Sequence, residues 1–186
     1  MTTAILDAAE AEVAERGLAE ASMASIAARA GVAVGTLYNY FPDRDGVIDE
    51  LFRVRRGAIS PRIREILDAT SGGFEARLEQ FLCGLLGLFD EHQAFVRVVM
   101  EASGGDGLRG ARGPRPVMTQ LKAGLETLLK AGVDEGVIAA ADVDLLGRLL
   151  AASIRGVVLH ALEVGQPFAT DAPRIVRILL DGARRR

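Results

Sequence analysis

The stretch from Ser22 to Phe41, SMASIAARAGVAVGTLYNYF, constrains the chain more than any other. Its first half spaces Met23, Ile26, Ala27 and Ala30 on one helical face, with alanines small enough to let a second helix approach. Gly31 stops that helix, because glycine takes the left-handed cap conformation without a Cβ clash. Val32 plugs the turn. A second short helix begins near Val34, sets Leu37 and Phe41 inward, and leaves Thr36, Tyr38, Asn39 and Tyr40 facing outward. Ser22 is the expected N-cap of the first helix, with Ser25 rather than a glutamate three residues on. Such a pair, its second helix bearing hydroxyl, phenol and amide groups, suits a DNA major groove.

Ile26-Ala27, Ala30-Gly31-Val32, Gly35-Thr36-Leu37-Tyr38 and Phe41 together resemble the DNA-binding signature of the tetracycline-repressor (TetR) family of bacterial transcription regulators. The resemblance extends to roughly residue 55. It implies an all-α chain: a helix-turn-helix domain over 1–45 and a helical effector-binding and dimerisation domain over 46–186. It also implies roles. Ser22 and Met23, at the start of the second helix, would offer backbone amides to phosphate. Val34, Gly35 and Thr36 open the recognition helix. Gly35 lets backbone come near DNA, and Thr36 meets a phosphate or a thymine methyl. Tyr38 and Tyr40 would bond phosphates, Asn39 would read a base edge, and Arg44 would contact a phosphate. The sequence departs from the family habit at Ala33, where a serine often caps the recognition helix. Loss of that cap costs about 1 kcal/mol.

Charge is a second departure. The first 50 residues hold three basic side chains (Arg16, Arg29, Arg44) against nine acidic ones, and the chain as a whole carries −3. Phosphate neutralisation supplies much of DNA affinity. The family pattern places a basic arm before the first helix, whereas this sequence opens Met1-Thr2-Thr3. The expectation is weak, strongly salt-sensitive operator binding, or a basic extension ahead of Met1.

Elsewhere the sequence reads as helix after helix. Thr2 or Thr3 is the expected cap of the first, whose inner stripe is Ile5, Leu6, Ala9 and Val13. Asp43 caps a long helix, and Pro61 predicts a kink or break near Ser60. Thr70 to Gly73 reads as a linker, and 103–116, with Arg109, Arg112 and Arg115, as a glycine-rich loop. Apolar residues between these points, Phe81, Leu85, Phe89, Phe95, Val99, Met118, Leu121 and Leu125, are either core or the wall of a cavity for an apolar effector. A helix over 142–164 is apolar on more than one side. The family resemblance pairs it, with the last helix, against a second copy. The expected interface residues are Leu146, Leu150, Ile154, Val157, Val158, Ile175 and Leu179. Two readers would then meet half-sites roughly 34–36 Å apart.

Catalytic signatures are missing. His92 and His160 have no ligand partner at helical spacing, and no P-loop, Rossmann glycine run or Gly-x-Ser-x-Gly occurs. No metal, cofactor or enzyme activity is expected. A lone Cys83 fits a reducing cytoplasm, the N-terminus lacks a signal peptide's basic region, and no run is expected to cross a membrane. Two functions remain in view: a dimeric, ligand-responsive repressor bound to double-stranded operator DNA, or a helical ligand- or protein-binding module whose DNA affinity has weakened.

Overall fold

The computed structural model describes residues 1–104 and 115–183, with side chains given outside 103–120 and 182–183. Arg109, Arg112, the Arg115 and Met118 side chains and the Arg184–Arg186 tail lie outside the described residues. The helices are α1 (Thr2–Arg16), α2 (Met23–Ala30), α3 (Val34–Tyr38), α4 (Arg44–Asp68), α5 (Phe74–Glu91), α6 (Gln93–Gly104), α7 (Arg115–Asp134), α8 (Val143–Val164) and α9 (Ala172–Ala183). They form two compact units, 1–58 with 92–116, and 59–91 with 117–186. The segment 1–45 lies wholly in the first unit, which also takes in the start of α4 and all of α6.

In the first unit, Ile5, Leu6 and Ala9 of α1 pack on Met23, Ile26 and Ala27 of α2, with Leu37, Phe41, Val47 and Leu51 closing the core. The cap of α1 is Met1, without a side-chain bond, so Thr2 and Thr3 already sit within the first turn rather than capping it. α6 packs on α1, and its Phe95 meets Phe52 of α4 edge-on with ring centroids 5.6 Å apart. Helix α4 runs unbroken through Pro61. The proline forfeits one backbone bond, yet buried Ile59 and Ile63 on either side hold the helical path.

The second unit is built around α5, whose Phe74, Leu78, Phe81, Leu82, Leu85, Leu86 and Phe89 are all buried. Two glycines bring α7 onto it: a Cβ at Gly132 would sit 2.8 Å from the Phe74 ring, and one at Gly124 would sit 3.0 Å from Phe81 Cζ. The turn before α9 is anchored by Asp90, whose carboxylate accepts from the N–H groups of Phe168 (2.8 Å) and Ala169 (3.1 Å).

The span Ala140–Val164 reaches a mean hydropathy of 1.5 over an 18-residue window, long and apolar enough by composition to cross a bilayer, contrary to the sequence expectation. Packing within the chain takes up part of that apolarity. One face, Leu146, Leu150, Ile154 and Val158, is buried in the chain's own core. Another, Leu145, Leu149 and Leu159, is exposed.

Candidate nucleic-acid interface

The first helix of the reader is held by a reciprocal cap. The Ser25 N–H donates to Ser22 Oγ (3.1 Å), and the Ser22 N–H donates to Ser25 Oγ (3.0 Å). Serine thus does the work of the usual glutamate. The N–H groups of Met23 and Ala24 have no intrahelical acceptor and remain for an anion. The Met23 side chain is buried in the α1–α2 core, so it offers DNA only its backbone. Gly31 closes α2 at φ 69, ψ 29, with its N–H and that of Val32 bonded back to Ala28 and Ala27.

α3 then projects the expected row. Ala33 precedes it without a side-chain bond. Leu37 is fully buried, while Val34, Tyr38 and Tyr40 are exposed at 39%, 53% and 47%. Asn39 is also exposed and Thr36 half-buried. A Cβ at Gly35 would meet nothing within 4 Å, so that surface is open to an approaching backbone. No lysine or arginine lies on α3.

Arg44 is placed differently from its expected role. Its guanidinium donates to the Leu18 carbonyl (3.2 Å) and pairs with Asp45 (3.1 Å). The Leu18 N–H in turn donates to Glu101 of α6 (2.8 Å). Arg44 therefore clamps the turn before α2, and its charge is already opposed.

An arginine–carboxylate network stitches the same unit together, and sequence reading missed it because its partners lie far apart in the chain. Arg29 of α2 bonds Glu12 (2.7 Å) and Glu15 of α1. Arg55 of α4 bonds Glu10 (2.5 Å) and Asp7 of α1. Glu12 is buried, and the Arg29 hydrogen bond holds its carboxyl below the ordinary range despite the opposing effect of desolvation. The N-terminal acids are thus helix ties more than a solvated face.

The expected effector wall is divided. Phe81, Leu85, Phe89, Leu121 and Leu125 are buried in the second unit, whereas Phe95 and Val99 belong to the first. Periodicity marks an inward face without saying what it meets. The expected interface residues also need correction. Leu146, Leu150, Ile154, Val158 and Ile175 are buried inside the chain, and Val157 and Leu179 are half-buried. The open row on α8 is a neighbouring one, Leu145, Leu149, Ala152, Gly156 and Leu159, with Ile178 exposed on α9. Among the described residues no group of three or more histidine, cysteine, aspartate or glutamate side chains is placed to hold a metal.

The profile described as bacterial regulatory proteins, tetR family, matches residues 5–51. The transcriptional repressor KstR2 of Mycobacterium tuberculosis is 30% identical over 178 residues, covering 88% of this chain and 86% of that protein. Two solved structures share the fold. The fatty acid degradation regulator FadR of Bacillus halodurans has a TM-score of 0.83 at 23% identity, over 100% of this chain and 97% of that one. FadR of Bacillus subtilis, in complex with stearoyl-CoA, has a TM-score of 0.82 at 20% identity, over 99% of this chain and 100% of that one. With the capped helix pair and its outward row in place, the chain belongs to the tetracycline-repressor (TetR) family and is a DNA-binding transcriptional repressor.

Proposed function

We propose that the protein works in the cytoplasm as a homodimer, grips a palindromic operator through two copies of α3, and releases it when a small, largely apolar effector binds the helical part. The carrying observation is the α3 surface. Tyr38, Asn39 and Tyr40 stand out from a turn fixed at Leu37 and Phe41, the geometry of a major-groove reader. One such reader spans too few base pairs to be selective, so two copies are needed, and the open α8 row supplies a self-complementary surface. On this reading 1–45 reads DNA while 46–186 carries effector binding and dimerisation. The effector would shift the population between two arrangements of the readers, so it must bind one of them more tightly.

A gel shift with DNA flanking the gene, at low and moderate salt, tests this. A folded dimer that shifts no flanking fragment at low salt refutes it. Tyr38→Ala or Asn39→Ala should weaken operator binding by about tenfold or more, as loss of one good contact of roughly 1–3 kcal/mol requires, with dimerisation intact. The weakened-reader alternative draws on one specific observation: α3 has no cation, and the Arg44 donors are engaged within the chain.

A further inference from the structure

The turn that carries the chain from α1 into α2 is poor in bonds of its own. It enters through Gly17 at φ 90, ψ 157, a backbone region open essentially to glycine alone. Its backbone tie, from the Ala21 N–H to the Gly17 carbonyl, is long at 3.3 Å. The backbone groups of Leu18 find their partners elsewhere. The Leu18 N–H donates to Glu101 Oε2 of α6 at 2.8 Å, across 83 residues of chain. The Leu18 carbonyl accepts from the Arg44 guanidinium of α4 at 3.2 Å, and the Ala21 carbonyl lies 3.5 Å from the same nitrogen. One residue is thus held by its N–H on one side and its carbonyl on the other, by side chains of two different helices.

The acceptor is itself fixed. Met100 and Ala102, on either side of Glu101, are buried, as are Phe95, Val98 and Val99 earlier in α6, and α6 packs along α1. Glu101 is exposed, so it contributes no apolar burial. What it supplies is a carboxylate oxygen, and a carboxylate accepting from an N–H makes a bond roughly twice as strong as a neutral one.

We infer that Glu101 is a positioning residue for operator recognition, acting not on DNA but through the Leu18 backbone. The inference rests on the reading of α2 and α3 as the DNA reader. Ser22, whose reciprocal cap with Ser25 opens α2, stands four residues beyond Leu18, and Ala21 just before it is buried. A turn fixed at Leu18 therefore fixes where α2 begins, and the Gly31–Val32 turn carries that setting into α3. Without the acceptor the turn samples other arrangements, and apparent affinity falls by the fraction still competent. A hydrogen bond to a charged group shifts such an equilibrium by about tenfold or more.

Operator titrations of the full chain, run well below the melting temperature with a DNA fragment flanking the gene, test this. Glu101→Ala weakens binding about tenfold or more and speeds exchange of the Leu18 amide, with the dimer intact by sedimentation. Glu101→Gln, whose amide oxygen accepts from the same N–H, keeps operator affinity near the parent's. Glu135→Ala is the control for stability alone. It removes a bond of the same kind from the second unit, Phe74 N–H to carboxylate at 2.7 Å, so it lowers the melting temperature and leaves operator affinity unchanged. Unchanged affinity or unchanged Leu18 exchange in Glu101→Ala overturns the inference. So does a gain in both Glu101 variants, the result of removing a repelling charge, a loss in Glu101→Gln as deep as in Glu101→Ala, or an equal loss in Glu135→Ala. A parent chain that shifts no fragment sinks the reader itself, and the inference with it.

Discussion

Replacing Leu149 with alanine should separate the dimer without unfolding the protomer. Leu145 and Leu149 are 52% and 45% exposed, and with Ala152, Gly156 and Leu159 they follow the four-three-four-three spacing of a helix-pairing seam. Full burial of a leucine contributes about 1.5–3 kcal/mol. With nearly half of Leu149 still open, its remaining share is about 1 kcal/mol. A two-fold axis counts that share twice, about 2 kcal/mol per dimer, or roughly thirtyfold in the dissociation constant. Sedimentation equilibrium on Leu149→Ala should show that shift, with the melting temperature of the isolated protomer nearly unchanged. Leu150→Ala is the contrast. Leu150 is fully buried, so its truncation lowers protomer stability by about 2–5 kcal/mol. An Leu149→Ala protein as dimeric as the parent, at concentrations bracketing its dissociation constant, would refute the assignment of this face.

Three further outcomes follow from the packing. Ser22→Ala removes one half of the Ser22–Ser25 cap and should lower stability by about 1 kcal/mol in denaturant titrations, with a matching loss of operator affinity as α2 frays. The Glu12 carboxyl lies below its ordinary value when folded, so its stabilising contribution is complete above the unfolded value of about 4.3 and disappears as pH falls through the lower folded one; thermal melts of Glu12→Gln between neutral and acid pH should show a shallower acid limb than the parent. Gly132→Ala drives a methyl into the Phe74 ring at 2.8 Å, and since Phe74 is fully enclosed, overpacking should cost about 1–3 kcal/mol by chemical denaturation.

Much of the fold is written locally, and that part was legible. Gly31 announces a left-handed stop, Ser22 a cap and Asp43 a helix start; the Gly46 N–H indeed donates to Asp43 at 2.7 Å. What sequence periodicity cannot do is distinguish an inward face from a partnered one. Leu146, Leu150, Ile154 and Val158 satisfy a helical apolar pattern, and so do Leu145, Leu149 and Leu159. The positions of α9, of the turn at Phe168–Asp171 and of Leu129 on α7 decide which row the chain covers itself. The spacing of Phe95 likewise marks an inward face without naming its partner, which in the fold is the Phe52 ring of α4. Pro61 reads locally as a break, and only the burial of Ile59 and Ile63 in the fold keeps α4 continuous through it.

The pairing of the N-terminal acids also changes what salt should do. The negative balance over the first 50 residues implied binding that collapses as salt rises. Salt dependence, however, counts the phosphates neutralised by protein cations, with a slope of about −0.9 in log affinity against log salt for each. Here α3 contributes no cation, Arg29 is bound by Glu12 and Glu15, Arg55 by Asp7 and Glu10, and Arg44 faces Asp45. A protomer that neutralises about one or two phosphates gives a dimer slope near −2 to −4. Operator binding should then be modest at every ionic strength but decline gently, carried by tyrosine hydroxyls, the Asn39 amide and the α2 backbone N–H groups. Operator titrations across a potassium chloride series measure the slope directly. A slope steeper than about −6 would mean that these arginines leave their carboxylates for phosphate when DNA arrives, and the ties between α1, α2 and α4 would then have to loosen in the complex.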